Sequence, residues 1–163
     1  MTSRILSVRA ATILLASALI VVAVLGGVLV WMLRAVATDE AVETSRHELR
    51  EAAGKIVAQV FSVDSDSWAA DRKRARGLVG GRFATNHATE LTRPPAAGVR
   101  SVVWVPDAVG VTDADADHGD TLIRATVTTT PVSGPVVVEQ HSVTAQFEHI
   151  DGRWVLGDLE VLQ

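Results

Sequence analysis

The chain contains no cysteine and no tyrosine, and only four tryptophans and three phenylalanines among 163 residues. Without cysteine there is no disulfide, no thiolate zinc site and no thiol nucleophile. That leaves the compartment open, because such chains occur in either redox environment. Without tyrosine there is no phenol to act as acid or oxyanion donor. A phosphate-cradling glycine loop is missing too: Gly80-Gly81 has neither the lysine nor the strand context of a P-loop. No acidic residue precedes Asp39, and there is no internal repeat.

What the N-terminal part does have is an uncharged run from Ala10 to Leu33, 24 residues closed by Arg9 and Arg34. As a helix it would measure about 36 Å, against about 30 Å of bilayer hydrocarbon. A single apolar helix satisfies its own backbone groups in lipid, so the run reads as a transmembrane anchor over 10–33 behind a lead of residues 1–9. Arg4 and Arg9 precede it, whereas Arg34 is followed by Asp39, Glu40 and Glu43. Positive residues stay on the cytoplasmic side, which puts the N-terminus inside and residues 38–163 outside the cell membrane. Ala35-Val36-Ala37 also fits a signal-peptide cleavage site, but the run far exceeds the 7–15 residues of a signal core. Either reading sends the following domain outward.

Residues 38–163 number 126, enough for one domain with one core. They hold 12 basic against 19 acidic residues, a net charge of −7. Such a surface repels phosphate backbones and anionic headgroups, so nucleic acid is excluded as a partner and general membrane adhesion is disfavoured.

Val42, Leu49, Ala53, Ile56 and Val60 recur at helical spacing and predict a helix over 39–61. The cluster Ser62 to Ser67 reads as a turn and a new helix start, followed by a second helix from Trp68 to about Val79. After Gly80-Gly81, the residues Phe83, His87 and Leu91 predict a third, ended by Pro94-Pro95. Beyond Gly98 the pattern changes to β-branched alternation: strands over about 99–112, 121–130, 136–149 and 154–162. Pro106 demands an edge, a bulge or a break. Asp151-Gly152 supplies the two positive-φ positions of a tight hairpin. Helices first and then a four-stranded meander is the order of an α+β domain, three helices on one face of a curved antiparallel sheet.

The basic lead, the single span, the Ala-rich helix, Leu78-Val79-Gly80-Gly81-Arg82-Phe83 and the closing Asp151-Gly152-Arg153-Trp154-Val155-Leu156-Gly157-Asp158-Leu159 together resemble the Mce-associated membrane proteins of actinobacteria. Their outer domain is of the nuclear-transport-factor-2-like, or cystatin-like, fold. The resemblance covers nearly the whole chain and rests on the order of its parts, since no single motif is diagnostic. It implies a non-enzymatic, single-pass accessory subunit that helps assemble or stabilise an Mce lipid-import complex of the cell envelope, with no cofactor. Many folds of this shape dimerise through the sheet. The alternative is an enzyme or a lipid- or sterol-binding carrier that uses the open cone as a pocket, as related isomerases and dehydratases do.

An enzymatic cone needs an acid or a His–Asp pair. The histidines at 47, 87, 118, 141 and 149 are scattered, with no acidic partner at an evident dyad spacing. His87 lies on the apolar side of its helix, where core packing explains it better than catalysis. Asp107 and Asp158 remain as candidate bases, and alternation puts Asp158 on the face of Trp154 and Leu156. The residues Asp113, Asp115 and Asp117 have the D-x-D-x-D spacing of a calcium loop. His118 and Arg124 stand where its glycine and glutamate are needed, so 113–120 reads as a solvated hairpin loop. Arg72-Lys73-Arg74, with Arg76 and Arg82, is the one basic concentration, either a solvated helix face or a contact for anionic headgroups or an acidic partner. Ala23 and Gly27 give the span a small-xxx-small spacing for a neighbouring helix. A cone filled by Trp68, Phe83, Trp104 and Trp154 would argue against the pocket reading.

Overall fold

The computed structural model describes residues 42–162 and, before them, Val28 alone. The expectations for the lead 1–9, the anchor 10–33, the cleavage site at 35–37 and the Ala23–Gly27 spacing therefore lie outside the described residues, Val28 apart. No helix of the described residues is long and apolar enough to cross a membrane. The chain divides into two compact units, Met1–Glu40 and Ala41–Gln163, and the sheet belongs to the second.

That unit opens with helix α1 over 42–61. Leu49, Ala53, Ile56 and Val60 are buried, at the 3-4 spacing read from the sequence, and Val57 joins them. Ser62 ends the helix and its hydroxyl accepts a hydrogen bond from the Trp104 amide at 2.9 Å, which ties the helix end to the sheet. A two-residue strand β1, Val63–Asp64, follows within what the sequence marks only as a turn. Helix α2, Trp68–Arg76, is set by Asp71 in its first turn. The Asp71 carboxylate accepts from the Ser67 hydroxyl (2.8 Å) and the Asp64 amide (3.1 Å). The expected third helix is shorter and broken: α3 covers Gly81–Asn86 and a 3-10 turn covers Glu90–Thr92.

The strands β2 (Val99–Ala114), β3 (His118–Pro131), β4 (Val137–Ile150) and β5 (Arg153–Leu162) complete an antiparallel sheet in the order β1-β2-β3-β4-β5. The sheet thus has five strands where four were expected, because Val63 and Asp64 pair with Val102 and Ser101. Pro106 sits at a bulge, as its missing amide requires. Asp151 and Gly152, at φ 52° and 73°, make the tight turn that joins Ile150 to Arg153. The segment before α3 occupies the outer edge of β5 at Leu156: the Leu156 amide donates to the Leu78 carbonyl (2.9 Å) and the Gly80 amide to the Leu156 carbonyl (2.8 Å). This blunts an edge that would otherwise invite pairing with another chain.

Helix α1 crosses the inner face of the sheet. Gly54 lets it approach closely, since a Cβ there would stand 3.3 Å from Val109 Cγ2. Ile123, Val143, Phe147 and Leu156 from the sheet and Leu49 and Val57 from the helix are at most 1 % exposed. Each fully buried side chain of this size is worth about 1.5–3 kcal/mol, so this interface holds the domain together.

Candidate functional site

The concave side of the sheet is a packed core. Phe83 and Trp154 are buried in it, and Trp104 packs against it with its ring 5.0 Å from Phe61. Trp68 is half-buried and belongs to none of this packing. Three of the four aromatic residues that would fill the cone therefore do so.

The five histidines do not converge. His47 lies 3.4 Å from Glu51 on α1, His87 3.9 Å from Glu90, His118 3.9 Å from Asp115 and His141 3.6 Å from Glu139. Four of them thus do face a carboxylate, through i,i+4, i,i+3 and strand i,i+2 neighbours whose pairing the sequence reading missed. Every one of these carboxylates is more than 60 % exposed, so the contacts are surface pairs. His87 stacks on Phe83 with ring centroids 4.4 Å apart, but its side chain is 44 % exposed, so it covers the margin of the core and does not lie within it as expected. His149 stacks on Trp154, and its Nδ1 lies 3.1 Å from the Ala116 carbonyl, to which the Nδ1–H tautomer donates.

Asp107 is exposed at the β2 bulge and accepts from the Thr126 hydroxyl at 2.8 Å. Asp158 corrects the simple alternation. A bulge between Gln146 and Phe147 on the β4–β5 ladder sets Leu156 opposite Phe147 but Asp158 opposite Gln146. Gly157 takes up the extra residue, so Asp158 falls on the outer face, away from Leu156 and the core. There it lines a polar hollow of about 440 Å³ with Arg82, Asp120, Gln146 and Glu160. Arg82 of α3 reaches Asp158 at 3.9 Å. Asp120, Gln146 and Asp158 stand in one row across β3, β4 and β5. Two strand spacings separate the carboxylates by about 10 Å, too far to share a proton as a dyad does at about 3 Å.

The stretch 113–120, expected as a loop, is mostly strand, because Asp113 pairs with Asp120 and Ala114 with Gly119, leaving only 115–117 as the turn. The carboxylates of Asp113 and Asp115 bond to its backbone. Asp115 Oδ1 accepts from the amides of Asp117 (2.8 Å) and His118 (2.7 Å), and these two bonds hold its carboxyl below the usual range. Asp113 accepts from the Ala114 amide at 3.0 Å and faces Arg46 at 4.0 Å. Among the described residues no group of three or more His, Asp or Glu is placed to hold a metal ion. In the basic run, Arg74 pairs with Asp71 at 3.4 Å. Arg72 donates from Nε to the Arg93 carbonyl (3.2 Å) and from Nη1 to that of Val60 (3.4 Å). Burial lowers its pKa, and the neighbouring Asp71 charge opposes that shift.

The outer face of the sheet, opposite α1, also exposes apolar side chains. Val103 and Val105 of β2, Leu122 of β3 and Val138 of β4 are 41–61 % exposed there. Register brings the three valines into neighbouring rows, with Val103 opposite Thr128, Thr128 opposite Val138 and Val105 opposite Thr126, while Leu122 lies further along β3, beyond Arg124. The sequence hides this face because Val102 to Val105 is apolar on both sides of the strand, so alternation does not distinguish inner from outer.

No protein-family model and no curated protein matches the chain. Solved structures do match. CagV, a VirB8 homologue of the type IV secretion system of Helicobacter pylori, is similar at 15 % identity with a TM-score of 0.57, over 72 % of this chain and 99 % of that one. An IcmL-like type IV secretion system protein of Legionella pneumophila is similar at 12 % identity and TM-score 0.55, over 72 % and 91 %. The association domain of Caenorhabditis elegans CaMKII is similar at 9 % identity and TM-score 0.53, over 76 % and 99 %. At these identities the likeness is one of fold: a curled five-stranded antiparallel sheet with helices, α+β and nuclear-transport-factor-2-like.

Proposed function

We propose that the chain is a non-enzymatic accessory subunit, anchored by residues 10–33 with its N-terminus inside, whose outward domain makes protein contacts in an envelope complex of the Mce lipid-import type. The observation that carries the reading is the contrast between the two faces of the sheet. The concave side, where an enzyme or carrier of this shape would keep its pocket, holds Phe83, Phe147 and Trp154 at 1–6 % exposure. The opposite side presents Val103, Val105, Leu122 and Val138 to solvent. Apolar surface gathered on one open sheet face suits a protein partner or a second copy of the domain. The matched structures lend support through what they are: two type IV secretion system proteins and an association domain.

Isolation of the full chain from its native membrane in mild detergent tests this. It is expected to carry other subunits of one transport complex with it, and a chain lacking residues 10–33 is expected to lose them. Recovery of the intact chain alone would contradict the proposal.

A further inference from the structure

The fourteen residues between Arg124 and Glu139 carry no charge, and they form the end of the β3–β4 hairpin. Loop tips are ordinarily polar, yet Val132, Val136, Val137 and Val138 are exposed there by 63 %, 52 %, 47 % and 61 %. The amide of Val132 donates to the Gly98 carbonyl at 2.8 Å, which sets the tip beside the loop that runs from Arg93 through Pro94 and Pro95. Arg72 and Arg76 bind that same region through the carbonyls of Arg93 and Leu91. Beneath the loop lies an apolar notch of about 470 Å³, floored by Phe61, Val63, Pro94 and Val102, with Arg72, Arg93 and one carboxylate, Glu90, at its rim. Among the described residues Lys73, Arg76, Arg93 and Arg100 form no ion pair. An apolar tip, an apolar notch and unpaired cations thus share one end of the domain.

We propose that this end docks on the anionic headgroup layer of a phospholipid bilayer, the valines entering the interface and the cations meeting the phosphates. The occupant follows from charge. The domain as a whole is acidic, but Asp113, Asp115, Asp117 and Asp120 flank the β2–β3 turn, at the opposite end of β3. Fourteen strand residues separate the two ends by about 45 Å, several times the screening length of about 8 Å in physiological salt. This end carries Arg72, Lys73, Arg74, Arg76, Arg93 and Arg100 against Asp64, Asp66, Asp71 and Glu90, an excess of two positive charges. With the acidic turn screened out, that excess is what an anionic surface meets. Each cation near such a surface strengthens binding by about fivefold. This deepens the proposed function and rests on its anchor, since a tethered domain is always within reach of a bilayer. Docking there would fix the domain's orientation on the bilayer.

Because the chain has no cysteine, a single Ser133→Cys substitution takes one environment-sensitive fluorophore. The labelled full-length chain is reconstituted into vesicles of phosphatidylcholine alone or with phosphatidylglycerol. The label is expected to shift to the blue and to resist acrylamide quenching only where phosphatidylglycerol is present, and to revert in high salt. A label at Asp117→Cys should stay quenched in both. The combined Lys73→Gln, Arg93→Gln and Arg100→Gln chain, altered only at exposed side chains, should lose the protection by about fivefold per cation removed. Equal quenching in both vesicle types overturns the proposal. Protection that ignores lipid charge and grows with chain density also overturns it, and assigns the tip to a second copy. Extraction of the chain by alkaline carbonate reports failure of the anchor separately; the chain is then added to the same vesicles from solution and the same signal read.

Discussion

Leu49 of α1 rests directly on the backbone of Gly119 in β3, so that a Cβ at 119 would overlap Leu49 Cδ2. Leu49 is itself fully buried, so its Cδ2 has little room to move aside. Gly119→Ala is expected to destabilise the domain by about 1–3 kcal/mol, the usual cost of overpacking a core. Thermal unfolding of the two proteins under the same conditions checks this, and an unchanged midpoint would mean that α1 does not sit on β3 as described.

Trp154 gives a contrast within one position. The residue is 6 % exposed, and its Nε1 is buried with no hydrogen-bond partner among the described residues. Trp154→Phe removes the unpaired donor along with some packing, and these oppose each other, so the expected change is within about 1 kcal/mol. Trp154→Ala leaves a cavity and is expected to cost about 3–5 kcal/mol. Denaturant titration of both variants separates the two effects.

Asp115 predicts an acid-side change at the β2–β3 turn. Its folded pKa lies below the ordinary carboxylate value because two amides hydrogen-bond the ionised form. The depressed value means that the contribution is present above the unfolded pKa, near about 3.9, and is lost as pH falls through the lower folded value. Amide chemical shifts of Asp117 and His118 followed by NMR should titrate together below that ordinary value. In Asp115→Ala the step should disappear from both.

Much of the fold was legible because local chemistry and packing agree. The turn at Asp151-Gly152 needs two positive-φ residues and has them, and the bulge at Pro106 follows from a missing amide. The two-residue strand β1 was not legible, since Val63-Asp64 lies among capping residues and becomes a strand only through pairing with β2. Nor was the face of Asp158, which depends on a bulge that shows only in the β4–β5 register. The third helix reads as continuous from Phe83 to Leu91, yet it ends at Asn86 and resumes only as a 3-10 turn at Glu90, a break that no glycine or proline between them announces. The valine-bearing tip at 132–138 carried its signal openly, as the end of an uncharged run of fourteen residues over 125–138, but a strand-to-strand connection was the only use the sequence suggested for it.

The central claim is that the outer face of the sheet, and not its filled concave side, makes the functional contacts. Val105→Glu and Leu122→Glu put charge on that face at exposed positions and leave the core untouched. The full chain and these variants should be isolated in mild detergent and their bound proteins identified by mass spectrometry. Association with one envelope transport complex in the parent chain, lost in both variants with unfolding midpoints unchanged, is the predicted result. Variants that keep every partner, or a parent chain that has none, would contradict it.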